Sequence, residues 1–319
     1  MTDPLQTVIT ETASLRAEME SRRERYLRLF LMGAPMSFAI ICAIAAINTN
    51  QGVFPWAVVL VVTAVIVMIG FQIVNGFYRY QTKRAFLEKI AAEIGLEYHK
   101  NGVFPVRDIE HHKILPIYDV HRVEDGFQGV IHGVSVAFEE IILSDRVSHQ
   151  KPNGTHEERE EMVFWGLAIK IGIGKKLEAH TVVLPRNAAL TFFRTAFSSF
   201  EKVRLVSPKF EEMFDVMSTS QVEARYVLDP AFMERFMEAG KMLGSKWMEA
   251  SFKGSEIAFA VQRYKPMFEI GWVFKPLTEQ TLENVANELK AVISLIDVLK
   301  LNPHTGLGAA LPGRDDEKI

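Results

Sequence analysis

Two apolar runs close to the N-terminus, Leu29 to Ile47 and Phe54 to Val74, constrain this chain more than anything else in it. Neither contains a charged residue, and only the uncharged loop Asn48 to Val53 separates them. A helix needs about 20 apolar residues to cross a hydrocarbon core about 30 Å thick, so each run is long enough. A secretory leader places a basic segment just ahead of an apolar core of about 7–15 residues. Here the first run starts at Leu29, after a segment that holds Asp3, Glu11, Glu18, Glu20 and Glu24. Buried core helices fit less well than spans, because both runs are charge-free, matched in length and flanked by basic residues. The expectation is a transmembrane hairpin over residues 29–76, with the lipid bilayer as its first partner.

The basic residues set the orientation. Arg16, Arg22, Arg23, Arg25 and Arg28 precede the first run, Arg79, Lys83 and Arg84 follow the second, and the connecting loop has none. Lys and Arg near the ends of spans stay on the cytoplasmic side, so both termini are expected in the cytoplasm of a multi-pass inner-membrane protein. The single cysteine, Cys42, lies inside the first run, where it cannot form an intrachain disulfide or a multi-cysteine zinc site. The net charge of −3 leaves no electrostatic footprint for nucleic acid.

The remaining chain is long enough for one substantial domain or two small ones. Residues 1–28 read as a cytoplasmic amphipathic helix. Asp3 suits the N-cap, Pro4 the first turn, and Leu5, Val8, Ile9, Thr12, Leu15 and Met19 form a stripe at helical spacing. That stripe suits packing on the chain's own juxtamembrane helix, the membrane surface, or another protein. Residues 77–96 read as a helical stalk through Phe77, Tyr80, Phe86, Leu87, Ile90, Ala91 and Ile94 to Gly95.

Residues 97–301 then read as an α+β domain with a mainly antiparallel sheet and packed helices. Phe127–His132 and Val134–Phe138 alternate around Gly133 as a β-hairpin. Met162–Ile173, His180–Leu184, Lys202–Val206, Lys246–Phe252, Ile257–Arg263 and Met267–Phe274 are further expected strands, and Ser144–Glu161 a polar loop. Helices are expected at 187–200, 208–217, 219–228, 230–243 and 278–301, and residues 302–319 as a disordered tail.

No catalytic, cofactor-binding or metal-binding residue is assigned. Adjacent His111 and His112 point apart on any regular element, so with His121 they read as structural or solvated. Gly172-Ile-Gly174-Lys175-Lys176 lacks the first glycine and the Ser/Thr of a phosphate loop and reads as a strand end at a turn. Glu139 and Glu140 follow a strand and face opposite sides, which rules them out as an acid/base pair. Gln72 and Asn75 are the only strongly polar side chains at the second run, and an ionisable transport path is absent. Ala39, Ala43, Ala57 and Ala64 offer small faces for packing the hairpin on itself or on a second copy.

Several stretches resemble the DUF3137 family. They are Asp125-Gly126-Phe127-Gln128-Gly129, Gly133 to Glu139, Val163-Phe164-Trp165-Gly166-Leu167 and Thr181-Val182-Val183. Phe210 to Val216 with Gln221 to Leu228 is the most specific part, and Ser251-Phe252 and Phe268-Glu269 fit the later strands. The resemblance covers about residues 80–300 and implies a bacterial protein with two N-terminal spans and no assigned functional residues. Within Gln221–Leu228, Val222, Tyr226 and Arg225 are expected on one packed helical face, with an ion pair from Glu223 or Arg225.

A large tethered domain without a catalytic signature, two amphipathic helices and a polar tail point to a membrane-anchored interaction or regulatory module. Its partner would be another protein, in the membrane or outside it, or a homo-oligomeric copy. The alternatives are an enzyme acting on a membrane-associated substrate and an accessory subunit of a channel or transporter.

Overall fold

The computed structural model describes residues 12–48, 56–150, 156–186, 199–245 and 248–301. The expected cap at Asp3, residues 151–155 of the expected polar loop, the helix at 187–200 and the tail from Asn302 lie outside or almost wholly outside these residues. The fold is α+β, with two long apolar helices followed by an antiparallel sheet and its helices. It divides into two compact units, one of residues 1–93 and 268–286, the other of 94–267 and 287–319.

In the first unit, α1 (Ala13–Asn48) and α2 (Trp56–Glu93) are 36 and 38 residues long. At about 1.5 Å per residue each exceeds 50 Å, more than a hydrocarbon core about 30 Å thick requires. The surplus is the amphipathic base, where Phe86, Leu87, Ile90 and Ala91 are buried as their spacing predicts. Tyr26 meets Phe77 and Tyr78, and Phe30 meets Phe71 edge-on at 5.6 Å, so the helices run antiparallel. Above that base the side chains face outward: Leu31, Met32, Met36, Leu60, Val61 and Met68 are each more than half exposed. Both helices are long and apolar enough to cross a membrane.

Residues 268–277 join this unit, and here the expected strand Met267–Phe274 is corrected. Its buried residues Phe268, Ile270 and Val273 gave a strand-like pattern, yet the amides of Val273 and of Leu277 just beyond it bond to helix side chains. Val273 N–H donates to Asn75 Oδ1, and Leu277 N–H to Glu20 Oε2. Apolar alternation alone does not distinguish a chain packed on a sheet from one packed on helices.

In the second unit, β1 (Leu96–His99), β2 (Val120–Ile131), β3 (Val134–Gln150) and β4 (His156–Pro185) form a meander. The β2–β3 turn is the expected one: His132 and Gly133 both have positive φ, as a tight two-residue hairpin requires. The expected polar loop at Ser144–Glu161 is instead ladder, with Ser144 opposite Met162 and Gln150 opposite His156. Both faces of that ribbon are polar there, so no alternation marks it, while backbone pairing and charge pairs such as Arg122–Glu160 sustain it.

Strand β4 is the spine. Its 30 residues pair with β3 and then with β6 (Phe214–Ser218), while β7 (Met248–Gln262) follows much of its length. The short β5 (Glu201–Val203) pairs with β6. Two expected strands on each of β4 and β7 are thus single bent ones. Gly172–Lys176 ends no strand: it is where the β4–β7 register shifts between Gly172 and Leu177. The expected helix 208–217 stops early as α4 (Pro208–Met213), capped by Ser207, and Phe214 opens β6 because Pro185, Leu184 and Val183 offer a ladder to Phe214, Asp215 and Val216.

Among the described residues the unit also holds α5 (Gln221–Val227), α6 (Pro230–Met242), capped by Asp229, and the later part of α7 (Glu279–Val298), which enters the unit at Asn287. On α5 the packed face is Ala224, Val227 and Leu228, whereas Val222 and Tyr226 point outward. Arg225 donates to the Arg204 carbonyl and Glu223 accepts the Glu178 and Ala179 amides, so the expected ion pair gives way to backbone contacts.

The sheet has two different faces. The cross-strand row Tyr98, Phe127, Phe138, Ile169, Phe259 is aromatic and apolar, with Phe127 stacked on Phe138 at 5.0 Å. The neighbouring row, Glu97, Gln128, Ala137, Lys170, Ala258, lies on the opposite face and is small or polar. Residues 100–118, which include α3 (Val106–Glu110), cover part of that second face. Val106, Ile109, Ile114 and Leu115 pack there on Ile141, Leu143, Ala168, Ala258 and Ala260.

Gly102 begins this cover with φ +83°, and a Cβ there would lie 2.4 Å from Val123 Cγ1 and 2.6 Å from Glu139 Oε2. Gly102→Ala is therefore expected to destabilise the fold by about 2 kcal/mol or more, read as a lower unfolding midpoint. An unchanged midpoint would show that the cover is not held at this point.

Candidate functional site

Two buried polar anchors hold the 100–118 segment on the sheet. Glu139, fully buried on β3, accepts the amides of Val103 at 2.8 Å and Phe104 at 3.2 Å through one carboxylate oxygen. Burial pushes its carboxyl above the usual range, against the pull of those two amides. Glu140, its neighbour, faces the other way, as strand geometry predicts, and accepts Trp165 Nε1 at 2.7 Å and the Met267 amide.

The second anchor is His112. Its Nδ1 lies 3.0 Å from Ser251 Oγ and its Nε2 lies 2.8 Å from Glu256 Oε1, both on β7. His180, from β4, places Nε2 2.9 Å from the same Ser251 oxygen and 3.2 Å from the His112 carbonyl. A carbonyl only accepts, so His180 Nε2 carries the hydrogen and shares it with Ser251. Ser251 then donates to His112 Nδ1, and His112 Nε2–H donates to Glu256. Every hydrogen points one way along the chain His180, Ser251, His112, Glu256.

Charge agrees with that order. The hydrogen bond from His112 holds the Glu256 carboxyl below its ordinary range, with help from Lys170, whose ammonium lies 3.3 Å away. Burial, then the charge of Lys253, pulls His180 down to about 4, so its ring is neutral at ordinary pH. Ser251 is fully buried, and its Oγ is committed to two imidazoles. Ser, His and Glu in line suggest a nucleophilic triad, but no substrate atom can reach this hydroxyl. The arrangement is a clamp.

Beside the clamp the second sheet face is open. A shallow hollow of about 730 Å³ runs over Glu97, Gln128, Ala137, Lys170 and Gly172. A second one, of about 450 Å³, is bordered by Asp108, His111, His112 and Lys253, and the two share Lys170, Ser255 and Glu256. Lys170 is held by Glu256 and lies 3.9 Å from Asp108. Together they make a groove across strands, floored by small and polar residues.

Of the histidines singled out in the sequence, His112 is the centre of the clamp, His111 borders the groove, and His121 packs edge-on against Tyr118. Sequence reasoning missed His180, Ser251 and Glu256, which are distant in the chain and carry no motif. It also missed Glu124 and Asp125, whose carboxylate oxygens lie within 4.8 Å of one another and of Glu140. Asp125 sits at a β-bulge with φ +41°, accepting Tyr98 Oη at 2.8 Å. The Asp-Gly pair there was the available signal for the bulge.

Residues 162–301 match the family model described as "Protein of unknown function (DUF3137)". That region contains His180, Ser251 and Glu256 but not His112 or Glu139, so the clamp joins it to the preceding segment. Of the stretches that carried the resemblance, Phe210–Leu228 falls inside it and Asp125–Gly129 and Gly133–Glu139 fall before it. No curated protein matches the sequence. Among solved structures, the crystal structure of the mycobacterial trehalose monomycolate transport factor A, TtfA, is similar at 11% identity and a TM-score of 0.35. The similarity covers 68% of this chain and 95% of that one, and at this level it carries no functional argument.

The clamp makes stability depend on pH. Unfolded, His180 takes up a proton below about pH 6.5, but in the fold only near pH 4. The unfolded state therefore binds more protons in that window, and stability falls as pH drops from about 6.5 to about 4. His180→Gln is expected to flatten the pH dependence of the unfolding midpoint in this range. An unaltered slope would remove His180 from the account.

Proposed function

We propose that this chain is a membrane-anchored interaction module whose open groove receives a polypeptide segment of another protein. The hairpin would span the inner membrane with both termini cytoplasmic, as the basic flanks favour. One observation carries the reading: the polar groups that could do chemistry are closed on one another inside the fold, while the groove beside them is broad and open. The small side chain of Ala137 lets a backbone approach, and Gln128, Lys170 and Glu256 supply polar partners at its edge.

The enzyme reading draws on the alignment of Ser251, His112 and Glu256, and the burial of Ser251 counts against it. A role beside a channel or transporter remains a variant of the same idea, with a membrane protein as the occupant.

Native mass spectrometry of the full chain from its native host, in nanodiscs, tests the proposal. The expected spectrum shows a stoichiometric second polypeptide or a defined homo-oligomer, lost in an Ala137→Arg variant that fills the groove. A monomer retaining a small molecule or a metal would contradict it.

A further inference from the structure

We infer that residues 270–277 form a third membrane contact, a wedge whose tip enters the lipid headgroup–acyl boundary beside the two spans. The inference rests on the spanning hairpin proposed above and adds an element that no apolar run announces.

The segment travels along the helices toward the spans and back. Glu269 is bound by Arg79 and by Lys83, the latter at 2.9 Å. Gly271, at φ +85°, passes so close to α2 that a Cβ would lie 2.8 Å from Thr82 Cβ. Val273 N–H then reaches Asn75 Oδ1 at 3.1 Å, and the Phe274 ring stacks on Phe71 at 5.1 Å. From Lys83 to Phe71 the contacts climb about 18 Å along the helix. The return follows α1: Phe274 meets Phe30, Arg23 Nη1 donates to the Val273 carbonyl at 3.0 Å, and Glu20 accepts the Leu277 amide at 3.0 Å. Arg16 then pairs with Glu279 at 3.3 Å.

Phe30 and Phe71 lie within the apolar runs, so the tip stands about one helical turn inside the layer that those runs define. There Trp272 is 44% exposed and Phe274 is 51% exposed, next to the exposed apolar rows of both helices. An aromatic pair with one exposed Lys275 beside it has the composition of an interfacial anchor: rings at the boundary, ammonium at the phosphates. The neighbouring Arg28 also faces outward. Water on this tip would waste apolar area continuous with the spans. Lipid is the occupant that suits both.

Site-directed spin labelling tests it in the full chain, in nanodiscs of phosphatidylcholine and phosphatidylglycerol. With Cys42→Ser as background, one label is placed at Trp272→Cys, one at Met68→Cys on the second helix, and one at Tyr264→Cys as an exposed reference. Labels at 272 and 68 are both expected to meet oxygen several-fold more readily, relative to a water-soluble nickel complex, than the label at 264. A lipid-like label at 68 with a water-like one at 272 would overturn the wedge and leave the hairpin standing. A water-like label at 68 would overturn the hairpin and the wedge with it. If Trp272→Cys perturbs the fold, Lys275→Cys gives the second reading, expected at headgroup depth, and a fully water-like value there sinks the wedge.

Discussion

Apolar surface that nothing in the fold covers is the constraint on which this structure depends. The upper parts of α1 and α2 present Leu31, Met32, Met36, Leu60, Val61 and Met68 outward, each more than half exposed. Burying one such side chain stabilises a structure by about 1.5–3 kcal/mol, so a row of them in water would cost on the order of 10 kcal/mol, comparable to the whole stability of a domain. The hairpin therefore makes sense only with a cover, and a bilayer is the cover that matches its length. The helices' bases follow a different rule. There the chain supplies its own cover, and residues 268–277 are fastened to Glu20, Arg23, Asn75, Arg79 and Lys83 by hydrogen bonds and ion pairs.

The sheet unit solves a similar problem by giving its two faces different tasks. The aromatic row through Phe127 and Phe138 makes core. The opposite face is half covered by residues 100–118 and half open as a groove. What decides how much is covered is polar rather than apolar: Glu139 seizes the Val103 and Phe104 amides, and His112 closes on Ser251, His180 and Glu256. Buried polar groups must be satisfied or they cost more than they give, and this requirement fixes one position for the covering segment. His112 and Glu256, which belong to the clamp, also border the groove.

The two long apolar helices, the buried positions Phe86, Leu87, Ile90 and Ala91 and the β2–β3 hairpin were legible in the sequence, because each rests on short-range periodicity or on one local signal. The long ribbon at Ser144–Glu161 was not, since a ladder with two polar faces leaves no alternation to read. Phe214–Ser218 was misread because a five-residue run has no period of its own and takes the state its neighbour β4 offers. Met267–Phe274 carried a strand's pattern and spends it on helices. The clamp was invisible for another reason: His112, His180, Ser251 and Glu256 are brought together only by strand pairing over long separations. Adjacent histidines looked unpromising as a pair, and only one of them is used.

The central proposal is a membrane hairpin with both termini cytoplasmic, and a thiol-accessibility assay on intact cells addresses it most directly. In a Cys42→Ser background, Gln51→Cys in the loop between the spans should react with a membrane-impermeant maleimide added outside. Tyr264→Cys, 73% exposed in the sheet unit, should react only after the membrane is opened. Labelling of Tyr264→Cys in intact cells, or protection of Gln51→Cys beside a reactive Tyr264→Cys, would contradict the account.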